Sequence, residues 1–126
     1  MCPEGEKARK VLVVEDDVDI QEALAQILEN EGYQVTSADN GLNAMTHLRS
    51  SGPPCLILLD LMMPIMDGWQ FRSEQKKDPK LAMIPIVVLS AHGSVPQHAA
   101  ALEAAMYLKK PIDLELLLET VKKFCG

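Results

Sequence analysis

The sequence predicts an α/β protein built on a doubly wound, five-stranded parallel sheet. Strand and helix patterns alternate along the 126 residues as five successive βα units, which favours parallel strands joined by right-handed crossovers. The runs at residues 55–59 and 86–89 are apolar throughout, as in strands buried on both faces. We expect one domain over residues 9–126, preceded by a tail at residues 1–8.

The first half of the chain contains two βα units. A strand over residues 11–14 leads into an amphipathic helix that ends at Gly32, a residue suited to the left-handed position after a helix. A second strand covers residues 33–38, and Asn40 can cap the next helix. The apolar stripes of these two helices are Ile20, Ala23, Leu24, Ile27 and Leu28, and then Leu42, Met45 and Leu48.

The second half begins with a breaker at residues 51–54, Ser-Gly-Pro-Pro, which precedes the third strand. A helix is predicted over residues 69–77, ending near Asp78 and Pro79. Pro85 stands before the fourth strand, where a missing N–H is tolerated.

A capping box at residues 94–97 opens a short helix that we expect to run through Ala105. The fifth strand follows and ends at Lys110-Pro111. We expect the last helix to bury a stripe of Leu114, Leu117, Leu118 and Val121.

Composition excludes several classes of protein. The formal net charge of −6 argues against a nucleic-acid surface, which needs clustered Lys and Arg. No apolar run is long enough to span a bilayer, and residues 1–6 contain no signal-peptide core, so we expect a cytoplasmic protein without membrane attachment. Cys2, Cys55 and Cys125 are widely spaced, which predicts neither a disulfide framework nor a zinc site; Cys55 is interpreted as a small apolar residue.

Polar side chains stand at the carboxyl end of four predicted strands. Glu15 and Asp16 follow the first strand, Asp60 the third, Ser90 the fourth and Lys110 the fifth. Ligands of open α/β sheets bind beyond these strand ends, so the five side chains are placed for chemistry.

In the flavodoxin-like strand order 2-1-3-4-5, the first and third strands are neighbours, about 4.8 Å apart. Glu15, Asp16 and Asp60 would then lie side by side and raise one another's pKa unless a cation such as Mg²⁺ sits among them. The ammonium of Lys110 must bridge roughly 10 Å to reach the same point. A carboxylate, a metal, a hydroxyl and an ammonium around one point describe phosphoryl transfer to an aspartate.

The order and spacing of these residues resemble the receiver domain of two-component response regulators, of the chemotaxis-response-regulator type. The resemblance spans nearly the whole chain and includes Met63-Pro64 and Met66-Asp67-Gly68 after Asp60, and Lys110-Pro111 after the fifth strand.

That resemblance implies a signalling phosphoacceptor rather than an enzyme. Asp60 would accept a phosphoryl group from a sensor histidine kinase or phosphotransfer protein, while Glu15, Asp16, Asp60 and the backbone carbonyl of Met62 would hold Mg²⁺. Lys110 and Ser90 would contact the phosphoryl group, and Ser90 and Tyr107 would form the switch that presents a surface to a downstream protein target. It also implies a cis Lys110-Pro111 bond.

Two departures from the family pattern concern the segment between Ser90 and Lys110. It is short, and Ala104-Ala105-Met106 replaces the usual glycine-containing turn, so we expect a shortened or shifted helix there. These departures concern the output surface and not the phosphorylation site.

Two other functions fit the sequence less well. An aspartate-nucleophile phosphatase of the haloacid-dehalogenase type needs a second acid two residues after the nucleophile, where this chain has Met62. A phosphorylation-independent interaction module would not need Glu15, Asp16, Asp60, Ser90 and Lys110 together.

Several nearby residues have simpler interpretations. Asp17 and Asp19 are expected to stabilise a helix N-terminus. Lys109 is expected to be solvated, and Trp69 to pack on its helix. His47, His92 and His98 lack the spacing of metal ligands.

Overall fold

A computed structural model describes residues 9–50, 52–63, 65–91 and 95–126. The expected tail at residues 1–8, Ser94 of the predicted capping box, and His92 lie outside the described residues. The strands are β1 (Lys10–Val14), β2 (Gln34–Ala38), β3 (Leu56–Asp60), β4 (Ile86–Ser90) and β5 (Met106–Lys109). The helices are α1 (Val18–Asn30), α2 (Gly41–Ser50), α3 (Gly68–Lys77), α4 (Pro79–Ala82), α5 (Val95–Leu102) and α6 (Leu114–Cys125).

All strand pairs are parallel, and the order β2-β1-β3-β4-β5 confirms the predicted doubly wound sheet. The register places Val14 opposite Leu59, Asp60 opposite Leu89, and Ser90 opposite Lys109. The first and third strands are therefore neighbours, and their carboxyl ends open at the same edge of the sheet.

Two apolar clusters cover the two faces of the sheet. Leu12, Val14, Ile57 and Leu59 face one cluster, whereas Val11, Val13, Leu56 and Leu58 face the other, as the two-residue period of a strand requires. The first cluster takes in residues of α2, α3 and α5, and the second takes in residues of α1 and α6. In the described part of the chain, no helix has the length and apolar character needed to cross a bilayer.

Helix ends follow local chemistry in the first half of the chain. The Asp17 side chain accepts from the backbone N–H groups of Asp19 and Ile20, which confirms its expected role at the start of α1. Asn40 accepts from the N–H of Asn43, and Gly32 has φ +94°, the left-handed conformation expected after a helix.

Helix boundaries in the second half differ from the prediction. The sequence predicted only a helix end at Asp78 and Pro79, but a short additional helix, α4, begins there. Asp78 caps this helix, and Pro79 lies in its first turn. Helix α5 ends at Leu102 rather than Ala105. Glu103, the residue after the helix, takes the left-handed conformation (φ +58°) that a glycine adopts more readily.

The prediction that the cysteines form no disulfide is wrong for one pair. Cys55, next to the start of β3, and Cys125, at the end of α6, are joined by a disulfide with their Cα atoms 5.4 Å apart. The pair is separated by 70 residues, and only the packing of α6 against β3 brings the two cysteines together.

Candidate functional site

Three carboxylates converge at the carboxyl edge of the sheet. Oxygen atoms of Glu15, Asp16 and Asp60 all lie within 4.8 Å of one another. Glu15 and Asp60 are buried, with 1% and 5% of their surface exposed, whereas Asp16 is exposed. The predicted juxtaposition of the acids after β1 and β3 is therefore observed.

Lys110 reaches this acidic cluster from the end of β5. Its Nζ atom lies 2.7 Å from Oε1 of Glu15 and 3.7 Å from Oδ1 of Asp60. The Lys110-Pro111 peptide bond is cis, as expected. The side chain spans the distance that the strand order requires, so one cation already faces two of the three acids.

The pKa of Glu15 is raised, and burial of its carboxyl group is the largest cause. The hydrogen bond from Lys110 opposes this shift, and the negative charge of Asp60 adds to it. The backbone N–H of Asp17 also donates to Oε2 of Glu15 at 3.2 Å. Burial therefore outweighs repulsion from Asp60 in raising the pKa of Glu15.

Gln21 supports the acidic loop and was missed by sequence reasoning. Its Nε2 atom donates to the backbone carbonyl of Glu15 and, at 2.8 Å, to Oδ1 of Asp39. The side chain is 8% exposed, so both contacts are shielded from water. The one available signal was a polar residue next to the apolar stripe of α1.

The loop after β3 is held against the site by close backbone packing. The N–H of Met62 lies 3.4 Å from Oδ1 of Asp60, and the N–H of Gly68 donates to the carbonyl of Leu61 at 3.1 Å. A Cβ atom on Gly68 would lie 2.8 Å from Cα of Leu61 and 2.9 Å from the carbonyl oxygen of Asp60. Only glycine allows α3 to begin this close to Asp60.

Ser90 and Tyr107 lie on the two strands beyond Asp60. Ser90 ends β4 with 1% exposure, and its carbonyl accepts from the N–H of Lys110 at 3.0 Å. Tyr107 lies opposite Val88 on β5 and is 39% exposed. Tyr107 thus lies on the strand next to Ser90, two residues before the end of β5.

The donor set fits a magnesium ion. Mg²⁺ prefers carboxylate oxygens and keeps several waters, and the partly open cluster of Glu15, Asp16 and Asp60 provides both conditions. Among the described residues this is the one group of three or more potential ligand side chains close enough to share an ion, and no histidine belongs to it.

The fold and the site define a class of protein: an open parallel α/β domain with an acidic cluster and a lysine at the point where the strand order reverses. The sequence profile of the response regulator receiver domain matches residues 11–122. The chain belongs to this family and is a receiver domain of two-component systems. Receiver domains are signalling phosphoacceptors, and those of response regulators are phosphorylated by histidine kinases.

Similar proteins support the assignment. An uncharacterized 14.6 kDa protein of Leptolyngbya boryana is 35% identical, over 91% of this chain and 88% of that protein. The phosphate regulon transcriptional regulatory protein PhoB of Escherichia coli K12 is also 35% identical, over 91% of this chain but 51% of PhoB. The chain thus spans about half the length of that regulator. Vibrio cholerae chemotaxis protein CheY4 superimposes with a TM-score of 0.82 at 28% identity, covering 91% of this chain and 97% of CheY4.

Proposed function

We propose that this domain accepts a phosphoryl group on Asp60 from a sensor histidine kinase or phosphotransfer protein, with Mg²⁺ as cofactor. The observation that carries the proposal is the grouping of Glu15, Asp16 and Asp60 within 4.8 Å, with the ammonium of Lys110 3.7 Å from Asp60. A phosphoryl group needs a nucleophile and positive charge at the same point, and this edge of the sheet offers both.

In the proposed reaction, a carboxylate oxygen of Asp60 attacks phosphorus while the bond from phosphorus to the donor histidine nitrogen breaks. Mg²⁺ bound by Glu15, Asp16, Asp60 and the carbonyl of Met62 would neutralise charge on the transferred oxygens. Lys110 turns from Glu15 toward a phosphoryl oxygen, a movement that its long side chain allows. The hydroxyl of Ser90 donates to another phosphoryl oxygen, where a charge-assisted bond is stronger than a neutral one.

Phosphorylation with a small acyl phosphate tests the chemistry without a kinase. Intact mass should show one added phosphoryl group in the presence of Mg²⁺ and none with a chelator. Asp60→Asn should abolish the addition. Asp67→Asn is the matched control, because Asp67 is close in sequence but accepts from the N–H of Gln70 as the cap of α3, a role that asparagine preserves. Labelling of the Asp60→Asn protein to the wild-type level would refute the proposal.

We propose that phosphorylation moves Ser90 and then Tyr107, and that a downstream protein target binds the surface changed in this way. Movement of the Ser90 hydroxyl toward the phosphoryl group makes room beside β4, and Tyr107, 39% exposed on β5, can turn into it. A coupling of about 1–3 kcal/mol is typical of such switches. NMR spectra with and without beryllofluoride should shift at Tyr107 and in α5. Shifts limited to the loops around Asp60 would contradict this readout while leaving phosphorylation intact.

A further inference from the structure

Cys55 and Cys125 join two elements that are distant in sequence. Cys55 stands immediately before β3, and Cys125 is the last residue of α6. Their Cα atoms are 5.4 Å apart, within the range that a disulfide spans without backbone movement. We propose that this pair is a reversible thiol–disulfide site that fastens the end of α6 to the sheet, and that dithiol–disulfide exchange proteins or small thiols act on it.

The fold accommodates both redox states of the pair. The Sγ atom of Cys55 lies 3.1 Å from the backbone carbonyl of Lys10, so a thiol at this position has an acceptor for its S–H group. Cys125 lies in the apolar cluster with Leu117 and Val121, where a thiol packs as a small apolar side chain. Neither sulfur needs a different backbone when the bond opens, so reduction does not require unfolding.

The two cysteine residues differ in exposure, which makes Cys55 the expected point of attack. Cys55 is partly exposed, whereas Cys125 is 8% exposed. The thiolate of an incoming dithiol attacks the sulfur of Cys55, and the S–S bond breaks with Cys125 leaving as a thiolate that takes up a proton. The second thiol of the reductant then attacks the mixed disulfide and releases Cys55. Two electrons and two protons pass from the dithiol to the pair, and an oxidised dithiol reverses both steps.

The bond controls the end of α6 rather than the acidic cluster. The other anchors of this end are non-covalent: Arg9 Nη1 and the Tyr33 hydroxyl donate to the carbonyl of Gly126, at 2.9 and 3.4 Å. Cys55 precedes Asp60 by five residues of extended chain, roughly 16 Å at about 3.3 Å per residue. Opening the disulfide should therefore loosen the last turn of α6 and leave phosphorylation of Asp60 almost unchanged.

The test uses the full chain with the substitution Cys2→Ser, so that only Cys55 and Cys125 contribute thiols. The protein is equilibrated in a series of buffers of different thiol–disulfide potential. Alkylation and intact mass should count no thiols at the oxidising end and two at the reducing end. Hydrogen exchange at residues 122–126 should be about tenfold faster after reduction. The melting temperature should fall by roughly 10–20 °C, because the bond closes a long loop.

The matched control is the same protein with Cys55→Ala and Cys125→Ala, whose exchange and melting should not respond to potential. Two free thiols at every potential, or equal exchange at residues 122–126 in both states, would overturn the proposal. Phosphorylation by a small acyl phosphate is measured in parallel on both redox states. If neither state is labelled, the proposed function is refuted. If the two states are labelled unequally, the claim that the bond leaves Asp60 unaffected is refuted.

Discussion

The ammonium of Lys110 lies 2.7 Å from Oε1 of Glu15, closer than its 3.7 Å approach to Asp60. Glu15 would therefore compete for this cation with the phosphoryl group proposed to form on Asp60. The same pairing allows a carboxylate with 1% exposure to carry charge inside the fold.

The raised pKa of Glu15 predicts a pH dependence of stability in buffer that contains a chelator. Its folded-state pKa lies above the unfolded value, so the folded protein holds the proton more tightly. This contribution to stability is complete below the unfolded pKa and is lost as the pH rises through the folded pKa. The free energy of unfolding of the wild type, measured against Glu15→Gln by urea titration from pH 4 upward, should decline across that window. A constant difference between the two proteins would contradict the prediction.

Gln21 is predicted to position the metal site. Gln21→Ala removes the amide that donates to the carbonyl of Glu15 and to Asp39, and should weaken Mg²⁺ binding by about tenfold, as for other residues that orient metal ligands. Gln26→Ala, on the exposed side of α1, is the control and should bind Mg²⁺ normally. Isothermal titration calorimetry measures the Mg²⁺ affinity of both variants. Equal affinities would show that Gln21 does not position the metal ligands.

Met62 is predicted to slow loss of the phosphoryl group. Its side chain is 59% exposed two residues after Asp60 and offers no hydrogen bond to orient an attacking water. Met62→Asn should speed hydrolysis by roughly tenfold, less than the ~10²–10⁴ of a general base, because an amide only orients the water. The decay of labelled protein is followed by intact mass, with Ile65→Asn as a control in the same loop. An unchanged hydrolysis rate in Met62→Asn would show that another residue limits the loss of the phosphoryl group.

Ile65 is predicted to destabilise its own loop. It has φ +67°, a conformation that costs a β-branched side chain about 1–2 kcal/mol, and it is 76% exposed, so little packing compensates. Ile65→Asn should raise the free energy of unfolding by roughly 0.5–1 kcal/mol in urea. Met83→Asn replaces a residue of similar exposure with φ −82° and should give no such gain. Equal effects of the two variants would mean that the backbone conformation is not the cause.

Arg72 is predicted to hold the end of α5. Its Nε and Nη2 atoms donate to the carbonyls of Leu102 and Glu103 at 2.8 and 3.2 Å, and its Nη1 atom donates to Gln75 at 2.8 Å. Burial lowers the pKa of Arg72, with the charge of Glu103 opposing that shift. Arg72→Met leaves these acceptors without the donor and should cost about 2–4 kcal/mol, given about 1–3 kcal/mol for each buried group left unsatisfied.

Urea unfolding measures this cost, and hydrogen exchange should be faster at residues 100–105. Arg49→Met, at an exposed position of α2, is the control and should change stability by less than about 0.5 kcal/mol. A similarly small effect for Arg72→Met would show that the contacts to α5 contribute little.

The sheet and the acidic cluster were readable from the chain because their signals are local. Strands β1, β3 and β4 carry apolar runs that Glu15, Asp60 and Ser90 end or directly follow, and Lys110 follows the last strand, β5. Once the βα order sets the strand order, these strand ends must meet at one edge. The same locality explains why Asn40 was predicted as a cap and Asp17 as an acid at a helix N-terminus, since both bond within three residues of themselves.

Tertiary structure alone decided the partners of Gln21, Arg72 and Cys55. An amide on α1, a guanidinium on α3 and a thiol beside β3 each have many possible partners, and sequence position does not choose among them. Each has a partner outside its own element, and the packing of helices on the two faces of the sheet sets which atoms come within reach. Tertiary contacts also explain the left-handed conformation of Glu103, which a glutamate disfavours. Arg72 donates to the carbonyl of Glu103, and the N–H of Ala105 donates to the carbonyl of Ile86, and these hydrogen bonds compensate for the cost of the conformation.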